Sequence, residues 1–164
     1  MLPGCGRKAS VTDAATPADA ATPAPVEGVV NIPGDDIAMQ AAIDQARATA
    51  DAFLAALAAP RDGQEGFSVK KPFAAKGGGV EVEHIWVTDL TYDGQQLQGT
   101  INNVPEHVDG LKLGDKVSVA LSEISDWMYF ENGKVVGGRT LRVLRAQMSP
   151  QERADFDASF IFRD

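Results

Sequence analysis

The chain predicts an α+β domain, in which a curved antiparallel sheet or small partly open barrel of about five to six strands is flanked by an N-terminal and a C-terminal helix. Three observations carry that expectation. An apolar period of three to four residues follows Asp36, short alternating runs joined by Asp-Gly and Asn-Gly fill the middle, and a Ser-Pro-Gln-Glu helix start lies near the C-terminus.

Asp35 and Asp36 offer N-caps for the first helix, and Met39, Ile43, Ala46, Ala50, Phe53 and Leu57 then fall on one face. Pro60 and Gly63 end it, because proline cannot continue the hydrogen-bond ladder. Phe67 to Phe73 reads as a short edge strand, since it contains Pro72, and Gly77 to Gly79 as a joint. Val80 to Thr88 is rich in β-branched and aromatic residues, Asp93-Gly94 signals a hairpin, and Leu97, Gly99 and Ile101 alternate on the return strand. Val117, Val119 and Leu121 alternate again after the Gly110 to Asp115 loop. Ile124 to Phe130 and Lys134 to Gly137 flank Asn132-Gly133, a second hairpin, and Thr140 to Arg145 is expected to add one more strand. Ser149-Pro150-Gln151-Glu152 is a capping box that opens the last helix, with Phe156 and Phe160 four apart on it.

At 164 residues the chain has room for one domain and a tail. A 44% hydrophobic content supports a core, and a net charge of −8 repels polyanions, so nucleic acid is not an expected partner. No stretch is apolar for the 18 or so residues that a membrane-spanning helix needs. Cys5 is the single cysteine, so no intrachain disulfide can form.

Leu2-Pro3-Gly4-Cys5 resembles a bacterial lipobox, in which the cysteine receives diacylglycerol and becomes the mature N-terminus. The basic and apolar regions of a secretory leader do not precede it, so this reading places them in codons upstream. Residues 1–5 are then a leader remnant, 6–34 an Ala/Thr/Pro tether with little apolar bulk, and 35–164 the folded domain. Such a tether spans about 90 Å fully extended and ~30 Å as a coil. Gly6 in place of Asp after the cysteine points, by resemblance to lipoprotein sorting rules, to the periplasmic face of the outer membrane. The competing reading is a cytoplasmic interaction protein with a free thiol at Cys5.

The strands carry a recognisable order of motifs: Glu83-His84-Ile85-Trp86-Val87, Gly99-Thr100-Ile101-Asn102-Asn103, Gly110-Leu111-Lys112-Leu113-Gly114-Asp115-Lys116-Val117 and Ile124-Ser125-Asp126-Trp127-Met128-Tyr129. With Gly137-Gly138 and Met148-Ser149-Pro150, this order resembles the YegJ-like family of bacterial proteins, a domain of unknown function (DUF2314), over about Asp35 to Phe160. The resemblance implies domain limits and a bacterial setting. It brings no catalytic residue with it.

Six residues remain as candidates for ligand binding: His84, Trp86, Asn102, Asn103, Asp126 and Trp127. Alternation sends Asp126 and Trp127 to opposite faces, so a core Trp127 leaves Asp126 and Met128 outside. The asparagines suit strand-end capping through side-chain to backbone bonds. A metal site from His84, His107 and a carboxylate is the weaker reading, because loop carboxylates are usually solvated, and neither metal nor cofactor is expected. Two functions compete. One is a non-enzymatic binding module that meets an envelope protein or peptide and touches the membrane only through its lipid. The other is a hydrolase or small-ligand enzyme using His84 with Asp89, Glu106 or Asp126, which requires His84 beside a buried carboxylate.

Limited proteolysis should remove the residues before Asp35 quickly and leave a resistant core starting near there. A resistant fragment that retains Ala14 to Pro25 refutes the assigned boundary.

Overall fold

The computed structural model describes residues 37–76 and 79–162, so Cys5, the tether, the Asp35 and Asp36 caps and Gly77-Gly78 lie outside the described residues. Of the expected apolar stripe, Met39, Ala46, Ala50 and Phe53 are buried, while Ile43 and Leu57 are half-buried and Ala42 is buried beside them. Its helix runs as two segments, α1 (Ile37–Ala48) and α2 (Ala50–Ala58). Thr49 divides them: its hydroxyl donates back to the carbonyl of Gln45 at 2.7 Å, a local bond that bends helices.

Among the described residues seven strands form one sheet: β1 (Gln64–Ala74), β2 (Val82–Tyr92), β3 (Gln96–Ile101), β4 (Lys116–Ala120), β5 (Asp126–Glu131), β6 (Lys134–Gly137) and β7 (Ile161–Phe162), in the order β4-β3-β2-β1-β5-β6-β7. All pairs are antiparallel except β6 with β7. Both expected hairpins form. Asp93 Oδ1 accepts from the amides of Gln95 and Gln96, each at 2.9 Å, and Asn132 and Gly133 take φ of 52° and 76°, the sign pattern of a twist-matched two-residue turn.

The strand expected at an edge, β1, is instead central, and Pro72 is tolerated there for a geometric reason. The carbonyl of Lys70 points toward β5, where it accepts from the amide of Ser125, so the nitrogen of Pro72 points the same way. Pairing with β5 ends at Lys70 with Asp126, and the position that lacks an N–H therefore faces no strand. Curvature is also legible in one side chain. Lys71 Nζ on β1 reaches the carbonyl of Ser118 on β4 at 3.0 Å and Glu123 at 2.9 Å, although β2 and β3 intervene in the sheet.

The predicted strand from Thr140 to Arg145 is a helix, α3 (Arg139–Gln147), followed by α4 (Pro150–Ser159). Gly137 and Gly138 take φ of 82° and 61° and turn the chain out of β6. At Gly137 a Cβ would stand 2.3 Å from the carbonyl oxygen of Trp127, so glycine is required there. The capping box of α4 forms as expected, and Phe156 meets Phe160 with ring centroids 5.1 Å apart. Asp157 pairs with Arg145, tying α4 to α3.

The helices cover both faces of the sheet. Ala46, Ala50 and Phe53 join Val69, Ile85, Leu97, Ile124 and Trp127 in one core cluster, while Leu141 and Phe160 join Trp86, Met128 and Val135 in another. Asp126 and Met128 are consequently buried, at 0% and 6% exposure, and the expectation that they face solvent is corrected: α3 and α4 lie where water was assumed.

Trp127 is buried, packs on Phe53 at 5.4 Å between ring centroids, and donates its indole N–H to the carbonyl of Ala46 at 2.9 Å. Trp127→Ala should destabilise the fold by about 3–5 kcal/mol, read as a lowered thermal midpoint. An unchanged midpoint would place the ring outside the core.

Candidate functional site

Lys70 is the organising residue of the second face. Register sets it opposite Trp86 on β2 and opposite Asp126 on β5, so three functional side chains project together. Its Nζ lies 4.6 Å from the Trp86 ring centroid and donates to the Thr140 hydroxyl at 2.9 Å. That hydroxyl in turn donates to Asp126 Oδ2 at 2.5 Å. A buried ammonium and a buried carboxylate are thus bridged by one side chain from α3. Burial lowers the Lys70 pKa to about 8, with Asp126 opposing the shift.

Asp126 also accepts the amides of Trp127 at 2.8 Å, Arg139 at 3.1 Å and Thr140 at 2.8 Å. The N-cap position of α3 is Gly138, which has no side chain to do this work. The carboxylate of a distant strand therefore satisfies the first amides of the helix and complements its dipole.

His84 stands on the same face as Lys70 and Trp86, with its ring exposed. Its Nδ1 lies 2.9 Å from Ser125 Oγ, and Ser125 donates its hydroxyl to the carbonyl of Lys70 at 3.1 Å. In the tautomer that keeps both Ser125 contacts, Ser125 receives the Nδ1 proton of His84 and Nε2 keeps its lone pair. Desolvation on the sheet side, then the Lys70 and Arg47 cations, lower the His84 pKa to about 4. Arg47 on α1 donates from Nε to the carbonyl of Ile124 at 2.8 Å, one residue before the partner of His84.

The opposite face of β2 holds Glu83, fully buried, whose carboxylate accepts from the amides of Glu106 at 2.9 Å and His107 at 2.8 Å. Asn103 Oδ1 accepts from the amide of Trp86 at 2.8 Å, and the amide of Asn102 donates to the Trp86 carbonyl at 2.9 Å. The segment between β3 and β4 is thereby fastened to β2, with Asn103 in the strand-capping role expected of it. Among the described residues no group of three or more His, Cys, Asp or Glu side chains gathers as a metal site.

Of the six candidates, His84, Trp86 and Asp126 share one face around Lys70, and Trp127 belongs to the other core. Both tryptophans are interior, at 6% and 4% exposure, Asn102 and Asn103 are half-buried, and His84 is the exposed one of the six. The rival acid–base reading needs a carboxylate on His84; the hydroxyl of Ser125 holds Nδ1, and Asp126 is turned to α3. Sequence reasoning passed over Lys70, Glu83, Ser125 and Thr140. A lysine after Val69 in an apolar run, and an aspartate directly before a core tryptophan, were the available signals for two charges sharing an interior.

Residues 36–162 match the family described as "Uncharacterized protein conserved in bacteria (DUF2314)". The chain is 35% identical over 121 residues to the uncharacterized protein YegJ of Escherichia coli K12, covering 74% of this chain and 75% of that protein. It is 39% identical over 93 residues to a putative ankyrin repeat protein of Neisseria meningitidis serogroup B, 56% of this chain but 37% of that longer protein. No solved structure is significantly similar.

The low Lys70 pKa makes a prediction about pH. The unfolded chain holds this proton up to its ordinary pKa of 10.5 and the folded one only to about 8, so stability should rise with pH between those values. The gain is on the order of 3 kcal/mol for a group this buried. Urea melts at about pH 7.5 to 10.5 should show it in the native protein and lose it in Lys70→Met; identical slopes in the two proteins would refute the assignment.

Proposed function

The chain belongs to the DUF2314 family of conserved bacterial proteins, and from that premise we propose that its domain is a non-enzymatic binding module held in the cell envelope by a lipid on Cys5. The observation that carries this reading is the use made of the polar interior. Asp126 accepts four bonds that seat Thr140, Trp127 and the start of α3, and Glu83 holds the segment after β3, so both buried carboxylates maintain shape. An acid or base poised for turnover would instead be aimed at a reacting group. The partner in this reading is an envelope protein or peptide. A homologous segment within a longer putative ankyrin repeat protein is in keeping with a domain that works alongside other binding parts.

The anchor rests on Leu2-Pro3-Gly4-Cys5 and the Ala/Thr/Pro-rich residues that follow. Two acyl chains on the diacylglycerol, joined by a third on the new amino group, give stable insertion where one chain binds only marginally. The full-length protein should fractionate with membranes, and mass spectrometry should find the modified cysteine. Cys5→Ser should leave it unprocessed or release it. An unmodified Cys5 in soluble protein would return the chain to the cytoplasm as an interaction protein with a free thiol.

A further inference from the structure

Around the start of β5, three successive residues each hold a side chain or amide from a different element. The carbonyl of Ile124 takes Arg47 of α1, the hydroxyl of Ser125 takes His84 of β2, and the carboxylate of Asp126 takes the first amides of α3. Consecutive Cα atoms are ~3.8 Å apart, so Arg47 and His84 are anchored as neighbours. Both are exposed. Lys70 lies behind them, its ammonium joined to Thr140. In a chain of net charge −8, this corner gathers two cations and an imidazole, and Asp126, the carboxylate beside Lys70, faces inward onto α3.

We propose that His84 and Arg47, backed by the Lys70 cation, bind a phosphate group, and that His84 takes up a proton as phosphate binds. In the tautomer in which the Ser125 hydroxyl keeps its bond to the Lys70 carbonyl, Nδ1 carries the proton, so Nε2 must gain one before it can donate to an anion. The groups facing the ring set the direction. β1 contributes Lys70 beside the uncharged Pro72, α1 contributes Arg47, and the start of β5 contributes Ser125, with Asp126 turned away; Glu83 on β2 faces the opposite side of the sheet. Without an anion the two cations oppose the proton. A bound phosphate offsets the Arg47 charge and adds an acceptor for Nε2–H, so proton and anion bind together. Phosphate suits the corner better than a carboxylate, because it offers more acceptor oxygens to the Arg47 guanidinium and a protonated Nε2, while Asp126 already balances Lys70 through Thr140. The inference concerns the domain alone and does not depend on the Cys5 anchor.

The test is an NMR titration of the side chains of the two histidines in the full chain, with inorganic phosphate and with acetate at equal ionic strength. Phosphate should raise the His84 midpoint by about one unit or more and leave that of His107 where it is. Binding should strengthen as pH falls through that midpoint. Arg47→Ala should weaken phosphate binding by about tenfold and Arg47→Lys by less, with thermal melts confirming that both variants fold. Soluble glycerol phosphate and vesicles carrying phosphatidic acid then separate a small-molecule source from a lipid headgroup, and Arg47-dependent binding to either supports the site. No movement of His84, an equal response to acetate, or binding indifferent to Arg47→Ala would overturn it.

Discussion

A carboxylate with no solvent exposure must be hydrogen-bonded in full, and the second half of this fold is arranged around meeting that demand at Asp126. Its four accepted bonds come from its own strand and from α3, so the helix cannot leave without stranding a charge. Thr140 closes the arrangement by donating to the carboxylate and accepting from Lys70. The ion pair is therefore bridged rather than direct. Replacing such a group by an apolar one of similar volume is often tolerated, whereas removing one partner leaves the other unpaired, so the chief effect here is to fix where α3 starts.

Once α3 is placed, the remaining cover follows. Leu141 and Leu144 project onto Trp86, Met128 and Val135, Arg145 holds Asp157 of α4, and Phe156, Phe160 and Phe162 complete the layer. β7 then pairs parallel to β6, whereas every other strand pair among the described residues is antiparallel. On the first face the same sheet curls around Phe53 and Trp127, and Lys71 spans the curl to β4. Neighbouring lysines at 70 and 71 thus serve opposite faces: one is buried against Trp86, while the other joins strands through Ser118 and Glu123.

The candidate site inherits its geometry from these constraints. Ser125 can orient His84 because the amide and hydroxyl of Ser125 are both tied to the carbonyl of Lys70, which central placement of β1 puts within reach. Arg47 arrives from a helix far away in sequence because α1 packs against β5 and α3. Polar residues in the interior hold position, and an exposed imidazole and guanidinium stand beside them.

Local chemistry by itself determined the features that need no distant partner. Helical spacing from Met39 to Phe53, the Asp93-Gly94 and Asn132-Gly133 turns, the Ser149 to Glu152 capping box and the burial of both tryptophans were all legible, since each depends on residues a few positions apart or on plain hydrophobicity. Tertiary structure alone decided the rest. Thr140 to Arg145 alternates well enough for a strand, and became a helix because an aspartate on β5 supplies the cap that Gly138 lacks. Pro72 suggested an edge, and β1 became central because its neighbour stops two residues short of the proline. The meeting of His84, Arg47 and Lys70 belongs to this second kind: they lie on three elements, and no spacing in the chain announces that the start of β5 will hold them side by side.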